Sequence, residues 1–146
     1  MSTETEHKYL VISNEYEKMT NNSYRITQGY LSREPERTVR VRLIDDKAYL
    51  TIKGKTVDDT RAEYEYEIPF DDAQALIGLC EGRIIDKIRY IVPYGGYIWE
   101  VDKFLGDLRS LIVAEIELKE STHNYPLPPF VGEEVTDNPQ YYNSNL

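Results

Sequence analysis

Apolar and polar residues alternate along most of this chain. Val39, Val41 and Leu43 alternate with Thr38, Arg40 and Arg42, and Ala48, Leu50 and Ile52 alternate with Tyr49, Thr51 and Lys53. Side chains at i and i+2 share one face of a strand, so this period predicts strands over Thr38–Ile44 and Lys47–Lys53. Asp45-Asp46 turns the chain between them. The same reading predicts strands over Lys8–Ile12, Tyr24–Ser32, Thr60–Ile68, Ile84–Val92, Tyr97–Phe104 and Leu111–Lys119. Tyr94-Gly95-Gly96 supplies a hairpin turn, since glycine accepts positive φ. Helical spacing is clear only over Asp71–Cys80. Asp71 is its expected cap, with Gln74 at the capping-box position and Gly82 near its C-terminal end. Glu15–Ser23 reads as a polar loop, and the proline-bearing tail from Asn124 as irregular, with a short capped helix near Thr136. Short connections imply antiparallel neighbours. Eight such strands in so short a chain curl into a barrel or a sandwich.

The polar face of these strands is unusual. Like charges recur in i, i+2 pairs: Glu4/Glu6, Arg40/Arg42, Glu63/Glu65, Lys87/Arg89, Glu100/Asp102 and Glu115/Glu117. A sheet face in water carries charges as a matter of course, but it usually mixes their signs, because like charges at close range repel. Here the signs are segregated by strand, the pairs recur on nearly every strand, and the opposite faces are apolar or aromatic. If the sheet closes with the charged face inward, acidic and basic strands line one cavity. Crowded carboxylates need cations, and oxygen ligands favour hard ions such as Mg²⁺ or Mn²⁺. Arginine forks match phosphate oxygens. The expected ligand is a compact chain of phosphates with bound metal.

Composition narrows the setting. The chain has 146 residues, 40% of them hydrophobic and 29% charged, which suits a single domain, residues 1–146, with a real core. The formal net charge of -9 argues against general binding of nucleic acid or of an anionic membrane. One cysteine, no apolar leader and no apolar run of membrane-spanning length point to a cytoplasmic protein. The exposed apolar faces await cover from the helix, from the tail (about residues 124–146), or from a second copy in a homodimer.

Other chemistry finds little support. His7 and His123 are isolated in the sequence, so no zinc spacing is present. No phosphate-cradling glycine motif occurs. Cys80 reads as a small core residue rather than a nucleophile.

The charged motifs, taken in order, resemble the CYTH superfamily, the triphosphate tunnel metalloenzymes. The matching stretches are Glu4-Thr5-Glu6-His7-Lys8, Gln28-Gly29-Tyr30-Leu31, Arg40-Val41-Arg42, Leu50-Thr51-Ile52-Lys53, Arg61-Ala62-Glu63-Tyr64-Glu65, Lys87-Ile88-Arg89-Tyr90, Glu100-Val101-Asp102 and Ala114-Glu115-Ile116-Glu117. The tail stretch Gly132–Thr136, with Tyr141 and Asn143, is similar to the short bacterial branch. The resemblance implies a mainly β (α+β) fold: an eight-stranded antiparallel β-barrel forming a tunnel, with a few short helices. It implies a metal-dependent hydrolase of triphosphates, foremost inorganic tripolyphosphate, using Mg²⁺ or Mn²⁺. Lys8, Arg40, Arg42, Lys53, Lys87 and Arg89 would hold the phosphates. Glu4, Glu6, Glu63, Glu65, Asp102, Glu115 and Glu117 would supply metal ligands. A class IV-like adenylate cyclase, a thiamine or nucleoside triphosphatase, and a non-catalytic polyphosphate-binding module are the alternatives.

Overall fold

Nine strands and two α-helices make up the computed structural model, which describes residues 2–146. The strands are β1 (Thr3–Val11), β2 (Asn22–Ser32), β3 (Arg37–Ile44), β4 (Lys47–Gly54), β5 (Thr60–Ile68), β6 (Glu81–Tyr94), β7 (Tyr97–Phe104), β8 (Ile112–Leu118) and β9 (Val131–Glu134). The helices are α1 (Tyr16–Met19) and α2 (Phe70–Ile77). The sheet order β5-β4-β3-β2-β6-β7-β8-β1 closes on itself, because β1 also pairs with β5. Every pairing is antiparallel, so the first eight strands form a closed barrel. Closure removes the sheet edges that an open structure would expose.

Strand β1 shares its second edge between two partners. Thr3–Thr5 pairs with β5, and Tyr9–Val11 pairs with β9. Between them the Glu6 amide donates to the Asp59 carbonyl, and the Lys8 carbonyl accepts from the Val135 amide. The tail is thus laid along the barrel as a ninth strand.

Burial follows the alternation. Outside the barrel, Tyr9, Val92, Trp99, Val101, Ala114 and Ile116 pack with Tyr16 of α1 and with Tyr125 and Phe130 of the tail. Helix α2 covers Val41 and Ala48 through Ala73, Phe70 and Leu76. Inside, Ile85, Phe104 and Val113 cluster with Tyr30 and, from the tail, with Leu146. The outer face of β4 and β5 stays uncovered at Ile52, Tyr64 and Tyr66. Among the described residues no helix is long and apolar enough to cross a membrane.

Several boundaries differ from the sequence reading. Strand β1 begins at Thr3 rather than Lys8, because Thr5 outside the barrel is satisfied by a hydroxyl bond to Thr60 (2.7 Å) and needs no apolar neighbour. The expected polar loop contains α1, which exists to seat one buried aromatic, Tyr16. Helix α2 starts directly after Pro69, so Asp71 is not its cap. Asp71 and Asp72 instead place carboxylates in its first turn, where the helix dipole favours them. It ends at Ile77 with Gly78 as C-cap, and Gly82 lies in β6, with φ 70° and the Arg33 guanidinium close against it. The β6–β7 turn uses both glycines as expected: Gly95 and Gly96 have φ of 58° and 83°, and Pro126 of the tail sits where a Gly95 side chain would stand. Thr136 starts no helix; a short 3₁₀ turn follows at Pro139–Tyr141, capped by Asn138.

Candidate functional site in the barrel lumen

The alternation that turns apolar residues outward turns the paired charges inward. Glu4, Glu6, Lys8, Arg40, Arg42, Lys53, Glu63, Glu65, Arg89, Glu115 and Glu117 line one lumen of about 230 Å³. Arg61, Glu100 and Tyr30 join them. Strand order sorts the signs. The neighbours β6, β2, β3 and β4 carry Lys87, Arg89, Arg40, Arg42 and Lys53, with no inward acid. The neighbours β5, β1, β8 and β7 carry the paired carboxylates, together with Arg61 and Lys8. The lumen therefore has a basic half and an acidic half.

Ion pairs hold the two seams. At the β4–β5 seam Lys53 Nζ is 3.3 Å from Glu63, and Arg40 Nη2 is 3.5 Å from Glu65, whose Oε2 also accepts from Thr51 (2.8 Å). Across the end of the barrel Lys53 Nζ donates to Glu4 Oε1 (2.7 Å). At the β6–β7 seam Arg89 donates to both oxygens of Asp102, from Nε at 2.8 Å and Nη2 at 2.9 Å. Lys87 Nζ donates to the same carboxylate at 2.7 Å. Lys8 Nζ lies 3.4 Å from Glu115.

Lys87 and Asp102 stand apart from the other expected site residues. They are 0% and 1% exposed and lie behind the lining, not on it. Asp102 spends its lone pairs on Arg89 and Lys87, so in this arrangement it orients cations. Burial would raise its carboxyl, but Arg89 and Lys87 overcome that and hold it far below the usual range. Burial pushes the Lys87 ammonium down to about 7, against the pull of Asp102.

The acidic half is poised for cations. Burial, with Glu115 and Glu4 beside it, pushes the Glu6 carboxyl up to about 8. Glu117 is raised by burial and by Glu4, and Glu100 by burial against the attraction of Arg89. Such mutual repulsion is what a divalent cation relieves, and an all-oxygen donor set fits a hard one. The basic half is poised for an anion. Burial, then Arg40 and Arg89, lower Arg42 to about 9. Arg40 Nε is a buried donor without a partner among the described residues.

Three contributors were given no role in the sequence reading, although Arg61, Gln28 and Asn143 lie in its matching motifs. Arg61 shares the inward face of β5 with Glu63 and Glu65, so the i, i+2 rule already marks it. Gln28, fully buried, accepts from Arg42 Nε at 2.9 Å. The tail returns to the lumen, where Tyr142, Asn143 and Ser144 line one end. Lys8 Nζ donates to the Tyr141 carbonyl (2.9 Å) and Lys87 Nζ to Asn143 Oδ1 (3.3 Å). No periodicity in the tail signals this. His7 points out of the barrel, as alternation requires, and there His123 stacks on it, so the two histidines are isolated only in sequence.

Comparison with known proteins agrees with this geometry. The family model described as CYTH domain matches residues 2–145. A protein of Acetivibrio thermocellus named inorganic triphosphatase is 43% identical over 148 residues, covering 100% of this chain and 94% of its own. One of the same name from Nitrosomonas europaea is 31% identical over 150 residues, covering 99% and 96%. A crystal structure of an inorganic triphosphatase superposes with a TM-score of 0.69 at 29% identity, covering 99% of this chain and 94% of that one. The chain belongs to the CYTH domain family, the triphosphate tunnel metalloenzymes, a family that implies a divalent metal.

Proposed function

We propose that this protein hydrolyses inorganic tripolyphosphate to diphosphate and phosphate, with Mg²⁺ or Mn²⁺. The observation that carries the reading is the sorted lumen: one basic half, one acidic half, and one end occupied by the tail. A linear polyphosphate fits such a space, and the tail leaves little room for a nucleoside. The two related proteins named inorganic triphosphatase support the same choice.

In this reading Arg40, Arg42, Arg89, Lys53 and Lys8 bind phosphate oxygens, with Arg40 Nε the donor most in need of one. Lys87 and Asp102 support Arg89 from behind. Glu4, Glu6, Glu63, Glu65, Glu115 and Glu117 would hold the metal, which when bound would neutralise phosphate charge and help to activate water. Water attacks the terminal phosphorus, a new P–O bond forms, the bridging P–O bond breaks to release diphosphate, and the water's proton passes to the released phosphates or to solvent. Negative charge builds on the leaving oxygen and on the terminal phosphoryl. The fixed guanidinium groups meet that charge without having to reorganise. Tyr142, Asn143 and Ser144 of the tail line one end of the lumen. The proposal includes a cytoplasmic setting and a homodimer formed through the uncovered face at Ile52, Tyr64 and Tyr66, which sedimentation would test.

The test measures phosphate release from tripolyphosphate, ATP and thiamine triphosphate with Mg²⁺, with Mn²⁺ and with EDTA. Turnover fastest on tripolyphosphate and abolished by EDTA is expected. No metal-dependent turnover of any of the three would refute the proposal.

A further inference from the structure

A second group of ligating side chains lies outside the barrel wall, in a groove that adjoins the lumen and shares Asp59, Thr136 and Tyr142 with it. His7, between Glu6 and Lys8 on β1, points outward and is 1% exposed. Its Nδ1 is 2.7 Å from the Tyr125 hydroxyl, and its Nε2 is 2.8 Å from Asp59 Oδ2. The His123 ring stacks on it at 4.2 Å, with planes 15° apart, and His123 Nε2 is 2.9 Å from Glu134 Oε1. One ligand atom from each of His7, His123 and Glu134 lies within 4.8 Å of the others. All three face an open groove of about 510 Å³, with Asp59 in its wall.

We propose that His7, His123 and Glu134 form a separate metal site for a borderline transition ion such as Zn²⁺, with Asp59 available as a fourth ligand. The donor chemistry separates this site from the lumen. Imidazole with carboxylate suits zinc, nickel and copper, whereas the lumenal oxygens suit magnesium and manganese. The outer partners are those a ligating histidine needs. With an ion on Nε2, His7 keeps its Nδ1–H bonded to Tyr125. Ser121 Oγ donates to Asp59 (2.6 Å), and Thr136 Oγ1 donates to Glu134 (2.5 Å).

Binding requires one movement. The stacked rings aim their in-plane lone pairs side by side, so His123 must tilt until the ligand atoms close to roughly 3–3.5 Å around an ion about 2 Å from each. The His123 side chain is 63% exposed and is free to do so. The ligands come from β1, β9 and the connector before β9, with Asp59 from the β4–β5 loop. An ion here would clip the tail to the barrel.

The test uses untagged full-length protein in excess Mg²⁺. Zn²⁺ is titrated by calorimetry, and one equivalent of Cu²⁺ is examined by electron paramagnetic resonance. One Zn²⁺ per chain, nitrogen couplings from two imidazoles, and a Zn²⁺-dependent rise in melting temperature are expected. His123→Ala should weaken Zn²⁺ at least tenfold, remove one nitrogen coupling and abolish the thermal response, without changing phosphate release in Mg²⁺. Glu134→Gln should also weaken Zn²⁺, with both nitrogens retained. Zn²⁺ affinity unchanged in His123→Ala, an all-oxygen copper spectrum, or no Zn²⁺ binding in excess Mg²⁺ would overturn the assignment.

Discussion

Replacing Asp102 by asparagine keeps the shape of that side chain and removes its charge. The wild-type carboxylate accepts from Arg89 twice and from Lys87 once, at 2.7–2.9 Å, and both Asp102 and Lys87 are shut off from solvent. The variant leaves Lys87 and Arg89 without their buried counter-charge, so that Lys87 must keep an unpaired charge or give up its proton, and turns an amide NH₂ toward one of three donors. Breaking a buried pair by removing one partner costs about 3–5 kcal/mol. For a chain of this size each kcal/mol lowers the melting temperature by about 2–4 °C, so a fall of roughly 6–20 °C is expected. Adding Lys87→Met removes the stranded charge and should recover part of the loss, a coupling of at least about 1 kcal/mol. Circular-dichroism melts of the wild type, both single variants and the double variant, in EDTA at one pH, measure this directly. A loss below about 1 kcal/mol, or no recovery in the double variant, would refute the ion-pair account. A loss that appears only with Mg²⁺ would instead put Asp102 among the metal ligands.

Three other outcomes are expected. Arg42→Ala removes a lumenal guanidinium held by Gln28 and should lower turnover more than tenfold, the order expected for a charged contact to the transition state; wild-type rates would take Arg42 out of the site. Phe130→Ala empties a fully buried position between barrel and tail and should cost about 3–5 kcal/mol in urea unfolding; a loss under about 1 kcal/mol would mean that the tail contributes little to stability. Tripolyphosphate with Mg²⁺ at 100 times its Kd should stabilise the native state by about 2.7 kcal/mol, read as a higher melting temperature; no change at saturation would argue against a lumenal site.

The barrel and most of its lining were readable from period-2 alternation, because each strand buries one face against apolar cover and turns the other to a charged interior. Arg40, Arg42, Glu63 and Glu65 announce their face by their spacing alone. What escaped has a physical reason. Strand β9 has four residues, Val131–Glu134, and pairs irregularly with one edge of β1, so it carries no alternating signature. Helix α1 has one turn and one buried residue, too little for a periodic signal. The meeting of His7 with His123 depends on the path of the tail after β8, which no local pattern encodes. Pro69 sets the start of α2 and displaces the cap that Asp71 and Gln74 suggest.

The seam ion pairs carry a consequence for binding order. Part of the lumen is paired internally: Lys53 rests on Glu4 and Glu63, Arg40 on Glu65, and Lys8 on Glu115, while Glu6, Glu117 and Arg42 have no opposite partner among the described residues. An anion arriving alone must pull these cations from their carboxylates and strand the acids. A cation arriving alone strands the bases. Arriving together, the two exchange every internal pair for an external one. Substrate and metal should therefore bind cooperatively, each raising the affinity of the other by one and the same factor.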